Sequence, residues 1–115
     1  MHRLRQGQVV NVEIADPRGQ NKKLRPVVIL TATHEISDEG NLVVAAISTK
    51  LADPLPADWI SVPWSRDGHA GSGLTEPSVV KCHWLVRVTT ADVVSVRGYL
   101  RDTDMQNIMA VVSKS

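Results

Sequence analysis

The sequence predicts a mainly β fold: a small barrel of short strands with one α-helix at the C-terminal end. Apolar, β-branched runs recur along most of the chain, and clusters rich in Gly, Pro, Asn and Asp separate them. A helical spacing of apolar residues stands out only near the end. Many short strands followed by one helix favour a barrel, and 115 residues with 43% hydrophobic content suit a single domain over residues 1–115.

Three strands are predicted in the first half of the chain. Residues 8–14 alternate between apolar and polar side chains, which is typical of a half-buried strand. A polar turn at 16–23 leads to a second strand at 26–31, and Pro26 at its start removes no ladder donor. Residues 42–48 form a third, nearly uninterrupted apolar run. Runs of this kind are typical of central strands.

The second half contains three more predicted strands and one long loop. Residues 59–62 form a short strand, residues 78–88 a long strand with room for a bend, and residues 93–100 the last strand. Between the first two of these lies a loop at 63–73 that is rich in Gly, Ser and charged residues. Because long loops in small domains are often functional, this loop is a candidate for function.

The single predicted helix lies at the C-terminal end. Thr103 and Gln106 match a capping box, in which two side chains satisfy backbone N–H groups at the helix start. We expect the apolar stripe of this helix to pack on the sheet as part of the core. The residues of the stripe are Met105, Ile108, Met109 and Val112.

Several classes of protein are disfavoured by what the sequence lacks. No apolar run approaches the ~20 residues that span a bilayer, and no signal peptide is visible, so we expect no membrane association and a cytoplasmic location. Cys82 is the only cysteine, and we interpret it as a buried, inert thiol. There is no phosphate-loop, CxxC or HExxH pattern, and the four histidines are scattered. We therefore expect no cofactor and no metal site.

The charge is unevenly distributed, although the net charge is only +1. The first 25 residues carry six basic and two acidic groups, and the rest of the chain is net acidic. An asymmetry of this kind either makes one face attractive to phosphates or reflects a solvated basic loop. The charge alone does not decide between these interpretations.

Two segments combine residue types that bind phosphate. Arg25 follows two lysines at the start of a predicted strand, and the run at 42–48 ends in Ser48, Thr49 and Lys50. A guanidinium offers a planar fork of donors to phosphate oxygens, and a hydroxyl adds one oriented hydrogen bond. Each segment is also typical of an ordinary strand end, so the pattern alone leaves a phosphate site as a hypothesis.

The order of short segments along the chain resembles that of one toxin family. Each segment is unspecific by itself, but the ordered set covers roughly residues 7 to 112. The segments are Gly7-Gln8-Val9-Val10, Arg25-Pro26-Val27-Val28, Ala45-Ala46-Ile47-Ser48, Leu55-Pro56-Ala57-Asp58, Gly73-Leu74-Thr75-Glu76-Pro77-Ser78-Val79-Val80, Leu85-Val86-Arg87-Val88 and Gly98-Tyr99-Leu100. In this order the chain resembles the MazF/PemK ribonuclease toxins of type II toxin–antitoxin systems.

The resemblance implies an SH3-like barrel of the CcdB/PemK type, assembled as a two-fold homodimer. It also implies a cognate antitoxin protein and metal-independent cleavage of single-stranded RNA by attack of the RNA 2′-OH. In that family an arginine before the strand proline and a threonine at the end of the next long strand act at the scissile phosphate. These positions correspond here to Arg25 and Ser48, with Thr49 directly after it.

Further residues are expected to bind RNA, and the general base stays open. The expected RNA-binding residues are Arg18, Lys22, Lys23, Lys50, His69 and Trp84. Trp84 is expected either to stack on a base or to be buried at a barrel or dimer surface. The Gly-Ser-Glu-Gln loop of the family corresponds to residues 19–22 here, which lack the acidic member. The alternatives for the base are His69 and Glu13.

A second class of function also stays open. The same barrel occurs in toxins such as CcdB, which bind a protein target without nuclease chemistry, and a fold does not determine a function. A non-catalytic protein that binds nucleic acid or only an antitoxin also fits a loop without the glutamate. The sequence favours the ribonuclease, with these binding proteins as the alternative.

Overall fold

The computed structural model describes residues 4–38 and 40–114. The strands are β1 (Gln8–Ile14), β2 (Lys23–Ile29), β3 (Asn41–Ser48), β4 (Trp59–Val62), β5 (Ser78–Thr89) and β6 (Val93–Tyr99), and the helix is α1 (Asp102–Val112). Short 3-10 turns at Thr33–Glu35 and Thr90–Asp92 precede β3 and β6. All six predicted strands and the terminal helix are present, so the mainly β class is confirmed. Within the described ranges no helix has the length and apolar character that a membrane crossing requires.

The strands form one antiparallel sheet in the order β4-β5-β3-β2-β1-β6. β2 and β3, which contain the continuous apolar runs, lie in the middle, as the sequence predicts. The barrel is not fully closed, because the outer strands β4 and β6 do not pair with each other within the described ranges. The fold is a barrel-like sheet that stays open between these two strands.

Both faces of the central strands are buried. Val9 and Val10 are neighbours on β1 and lie on opposite faces, and neither exposes any surface. One face packs against α1 through Ile108, and the other forms a second apolar cluster with Leu4 and Val88. Burial on both faces explains why the central strands are apolar runs with little alternation.

The loop at 63–73 packs against the C-terminal end of β6. The Gly71 carbonyl accepts the Tyr99 N–H at 2.9 Å, and the Ser72 hydroxyl donates to the Pro63 carbonyl at 2.7 Å. A side chain at Gly98 would overlap the Gly71 carbonyl oxygen, so the loop and β6 are in direct backbone contact. The loop therefore has a structural role, because it pairs the Tyr99 N–H, a backbone group that an edge strand would otherwise expose.

β5 contains the irregularity that shapes the site. Its pairing with β3 places Ala45 opposite Leu85 and Ala46 opposite Lys81, so three β5 residues lie outside the regular register. The three are Cys82, His83 and Trp84. An insertion of this kind bends a strand and changes the direction of its side chains.

The N-cap of the helix lies two residues earlier than predicted, at Arg101. α1 starts at Asp102, and the Asp104 carboxylate accepts the Arg101 backbone N–H at 3.3 Å and the Arg101 guanidinium at 3.0 Å. The predicted capping box of Thr103 and Gln106 is therefore wrong, because Asp104, two residues before Gln106, accepts the N-cap backbone N–H instead. The apolar stripe packs as expected, with Ile108 fully buried.

Candidate functional site

Arg25 lies on β2 near the loop that connects β1 to β2, and three contacts hold its side chain. Its Nε donates to the Ile14 carbonyl at 3.2 Å, and its Nη2 donates to the Asn21 carbonyl at 2.9 Å. The guanidinium lies over the Trp84 ring, with its Cζ 5.2 Å from the ring centroid. These hydrogen bonds use two of the five N–H donors of a guanidinium. Arg25 is thus fixed in place and retains donors for an anion.

The loop between β1 and β2 is organised by Asp16. Its carboxylate accepts the backbone N–H groups of Arg18 at 3.0 Å and Gln20 at 2.9 Å, and the side-chain amide of Asn21 at 2.8 Å. These hydrogen bonds, led by the one from Gln20, hold the pKa of Asp16 below its usual range. Asn21 has a φ of 55°, a left-handed conformation that Asn tolerates better than most residues. The loop therefore fixes the carbonyl that orients Arg25.

Arg25 and Ser48 line one pocket of about 280 Å³. Ser48 ends β3, and its Oγ accepts the backbone N–H of Lys50 at 3.1 Å, so its own O–H can donate elsewhere. The other lining residues are Asp16, Pro17, Asn21, Lys23, Lys50, Lys81, His83 and Trp84. Four cationic side chains thus surround the pocket against one carboxylate, and this balance favours an anionic ligand.

Lys81 is a lining residue that sequence reasoning missed. Its ammonium lies over the ring of Trp59 at 4.4 Å and over that of Trp84 at 6.0 Å. Burial, and after it the positive charge of Lys50, lowers the pKa of Lys81. A bound phosphate would offset both effects, since it supplies a negative charge next to the ammonium.

His83 and Asp58 form a side-chain pair that sequence reasoning also missed. The His83 Nδ1 lies 2.7 Å from Oδ2 of Asp58, which directly precedes β4. His83 stands two residues after Lys81, but it belongs to the three-residue insertion in β5, where the alternation of a regular strand does not hold. No local sequence pattern therefore joins these two residues.

Two further predicted RNA-binding residues lie in the pocket and two lie beside it. Lys23 and Lys50 are lining residues. Arg18 and Lys22 are exposed on the β1–β2 segment that borders it. Trp84 is partly buried against the second apolar cluster and also lines the pocket, so both alternatives given for it stay predictions. The binding role of these residues stays a prediction.

The remaining predicted residues do not line the pocket. Thr49 is exposed next to Ser48, and Glu13 is exposed on β1 opposite Leu24. His69 lies in the loop at 63–73, where its Nδ1 accepts two backbone N–H groups at 3.0 and 3.1 Å. The geometry therefore brings neither alternative for the general base to the lining of the Arg25 pocket.

Cys82 has the environment of an inert thiol. The side chain is buried, and burial raises the pKa of the thiol to about 11, with the negative charge of Asp58 adding to the effect. A thiol with this pKa stays protonated at neutral pH. The structure thus agrees with the interpretation of Cys82 as a core residue.

Comparison with solved structures shows the same fold in several toxins. The toxin MazF-mt6 of Mycobacterium tuberculosis is 25% identical with a TM-score of 0.67, over 93% of each chain. An endoribonuclease from mycobacterial species has a TM-score of 0.73 at 12% identity, over 99% of this chain and 91% of that chain. MazE–MazF of Deinococcus radiodurans also has a TM-score of 0.73 at 12% identity, over 99% of this chain and 96% of that chain. At 12% identity the last two show the fold alone.

The family follows from the sequence match. A model of the PemK-like, MazF-like toxins of type II toxin–antitoxin systems matches residues 5–115. The chain belongs to this family, which confirms the resemblance seen in its ordered segments. No curated protein sequence gives a significant match.

Proposed function

We propose that this protein is an endoribonuclease that cleaves single-stranded RNA without a metal ion. The observation that carries the proposal is the pocket in which Arg25, Ser48 and Lys81 converge beside Trp84. It combines a guanidinium, a hydroxyl and an ammonium, which are donors for phosphate oxygens, with an aromatic ring. The family match over residues 5–115 and the 25% identity to the toxin MazF-mt6 support the same function.

The chemistry uses a nucleophile that RNA itself contains. The 2′-OH attacks the adjacent phosphorus in line, and the products are a 2′,3′-cyclic phosphate and a free 5′-OH. Negative charge grows on the phosphate oxygens in the transition state, and preorganised donors stabilise it strongly. Arg25 supplies such donors, because the Ile14 and Asn21 carbonyls already fix its orientation. The Ser48 hydroxyl orients one phosphate oxygen.

Binding of the RNA strand relies on the surrounding cations. Lys23, Lys50 and Lys81 line the pocket and attract the phosphates on either side of the scissile one. Arg18 and Lys22 extend this basic surface along the exposed loop. DNA of the same sequence is bound through its phosphates but is not cleaved, since it lacks the 2′-OH.

A cognate antitoxin protein is the expected protein partner. Solved structures of relatives contain such complexes, including MazE–MazF of Deinococcus radiodurans and a mycobacterial endoribonuclease with its antitoxin. A disordered acidic segment that folds on binding would complement the basic pocket and cover it. An antitoxin peptide should therefore compete with RNA, and unchanged cleavage in its presence would contradict blocking at the site.

A cytoplasmic homodimer is the expected assembly. Several large apolar side chains are exposed on the sheet, and a symmetric partner would cover such a surface. They include Leu24, Leu85, Val94, Val96 and Tyr99. Sedimentation at micromolar concentration should give about twice the chain mass of 12.6 kDa, and a monomer would contradict the assembly.

The direct test of the function is cleavage of a long RNA by the purified protein in EDTA. We expect RNA fragments with 2′,3′-cyclic phosphate and 5′-OH ends, and no cleavage of single-stranded DNA of the same sequence. RNA that stays intact under conditions where the protein is folded would contradict the proposal. That result would favour the alternative, a CcdB-like or otherwise non-catalytic barrel that binds a protein target or nucleic acid.

A further inference from the structure

The His83–Asp58 pair has the geometry of an oriented imidazole. The 2.7 Å distance joins Nδ1 of His83 to Oδ2 of Asp58, so the carboxylate accepts the Nδ1 proton. This hydrogen bond leaves the lone pair of Nε2 to accept another proton. His83 also lines the pocket that contains Arg25 and Ser48. The imidazole therefore lines the same pocket as the two groups that are proposed to hold the phosphate.

Backbone contacts set this arrangement. The Cys82 N–H donates to the Asp58 carbonyl at 3.0 Å, which attaches Asp58 to the residue before His83. The same three-residue insertion in β5 displaces His83 from the regular register. The two side chains are thus brought together by the main chain, whereas a chance surface pair would depend on flexible side chains alone.

Stability does not explain the pair. The side chains of His83 and Asp58 are 52% and 43% exposed, and an exposed ion pair contributes about 0–1 kcal/mol to folding. The chain also has a second exposed pair, His34 with Glu35 at 3.9 Å, on the 3-10 turn before β3. His34 does not line the Arg25 pocket and provides a matched control.

We propose that His83 is the general base of RNA cleavage and that Asp58 is its positioning residue, an inference that rests on the proposed endoribonuclease function. Neutral His83 accepts the 2′-OH proton at Nε2 while O2′ forms its bond to phosphorus and the P–O5′ bond breaks. The leaving O5′ takes a proton from water in the open pocket. The imidazolium then neutralises the hydroxide that remains, and neutral His83 is regenerated.

Charged groups face this pair from every element around the pocket. They are Asp16 and Lys23 at the two ends of the β1–β2 connection, Arg25 on β2, Lys50 after β3 and Lys81 on β5. The four cations repel an imidazolium at His83, whereas the carboxylates of Asp16 and Asp58 attract it. Since burial lowers the pKa of Lys81, the alkaline side of a pH profile contains more than one group, and the acid limb is the diagnostic part.

The first test compares variants of the full-length protein on one RNA in EDTA. His83→Gln should lower kcat/KM by ~10²–10⁴, the typical contribution of a general base. His34→Gln should cleave like the wild type, and all variants should unfold at similar temperatures. The wild-type rate should fall at acid pH, where a protonated His83 cannot act as a base, and His83→Gln should lose this acid limb.

Asp58→Asn tests the positioning role. The amide can donate to Nδ1 and then holds the ring proton on Nε2, the wrong tautomer for a base. We expect a large fall in kcat with little change in KM, and an altered acid limb. A purely structural role for Asp58 would instead lower the unfolding temperature and leave the pH profile unchanged, and that result would overturn the assignment.

Two further comparisons show whether a negative result refutes the role of His83 or the proposed function itself. An RNA with sulfur in place of O5′ has a leaving group that needs no proton, so the His83→Gln defect should persist if His83 is the base. Disappearance of the defect would show an acid and overturn the proposal. If the wild type cleaves, Arg25→Ala does not and His83→Gln cleaves normally, only the role of His83 is refuted. If the wild type cleaves nothing, the proposed function fails, and the base proposal fails with it.

Discussion

Replacing Arg25 by alanine separates catalysis from folding most clearly. The substitution removes hydrogen bonds to the Ile14 and Asn21 carbonyls and the contact with Trp84. Each hydrogen bond contributes ~0.5–1.5 kcal/mol net and the cation–π contact ~0.5–1 kcal/mol, and their sum is an upper limit on the loss of unfolding free energy. Because water can bind the Ile14 and Asn21 carbonyls once the guanidinium is gone, we expect the free energy of unfolding to fall by about 1–2 kcal/mol. That is small against the ~5–15 kcal/mol that stabilises a typical domain.

The expected effect on cleavage is much larger than the effect on stability. Deleting one preorganised donor typically lowers the rate by ~10²–10³. Arg25→Lys should recover only part of this loss, because an ammonium cannot present a bidentate fork to two phosphate oxygens. The assay measures cleavage of one RNA in EDTA by the three proteins, with thermal unfolding curves of the same samples.

Two results would refute this reasoning. Equal cleavage by wild type and Arg25→Ala, both folded, would place the active site elsewhere. Full recovery by Arg25→Lys would show that only a positive charge is needed, and the fixed orientation of the guanidinium would then be irrelevant.

Three further predictions concern residues around the pocket. Ser48→Ala should lower the cleavage rate more than Thr49→Ala, because Ser48 lines the pocket and Thr49 does not. The two rates are measured in parallel on the same RNA, and equal losses would contradict the distinction. Lys22→Ala should weaken RNA binding, with little effect on the cleavage rate of bound RNA. Binding titrations at several salt concentrations should show that the slope of log K against log[salt] becomes shallower by about 1, as expected for the loss of one phosphate contact. Since burial raises the pKa of Cys82 to about 11, alkylation by iodoacetamide at pH 7.5 should be slow in the native protein and fast in urea, and rapid native labelling would contradict the buried position.

Local sequence patterns predict the strands and helix well, because burial repeats with the period of each element. The runs around Val27 and Val44 are apolar on both faces and lie in the middle of the sheet. The sheet edges are harder to predict. Whether β4 and β6 pair depends on the position of the loop at 63–73. Long-range backbone contacts, such as the hydrogen bond from the Tyr99 N–H to the Gly71 carbonyl, determine the position of this loop.

The candidate site is predicted only in part for the same physical reason. Arg25 and Ser48 were found because the family resemblance marks their positions. Lys81 and His83 belong to the site because β5 departs from a regular strand, and the insertion between Lys81 and Leu85 has no local sequence signal. Asp58 joins His83 through a contact between residues 25 positions apart in the sequence.

The central claim is that the Arg25 pocket cleaves RNA through the 2′-OH of its substrate. The most direct measurement uses an oligonucleotide that spans a mapped cleavage position, with and without a single 2′-deoxy substitution at the attacking nucleotide. We predict that the wild type cuts the parent in EDTA and leaves the deoxy oligonucleotide intact, although this oligonucleotide still competes for binding. Cleavage of the deoxy oligonucleotide at the same bond would contradict the account.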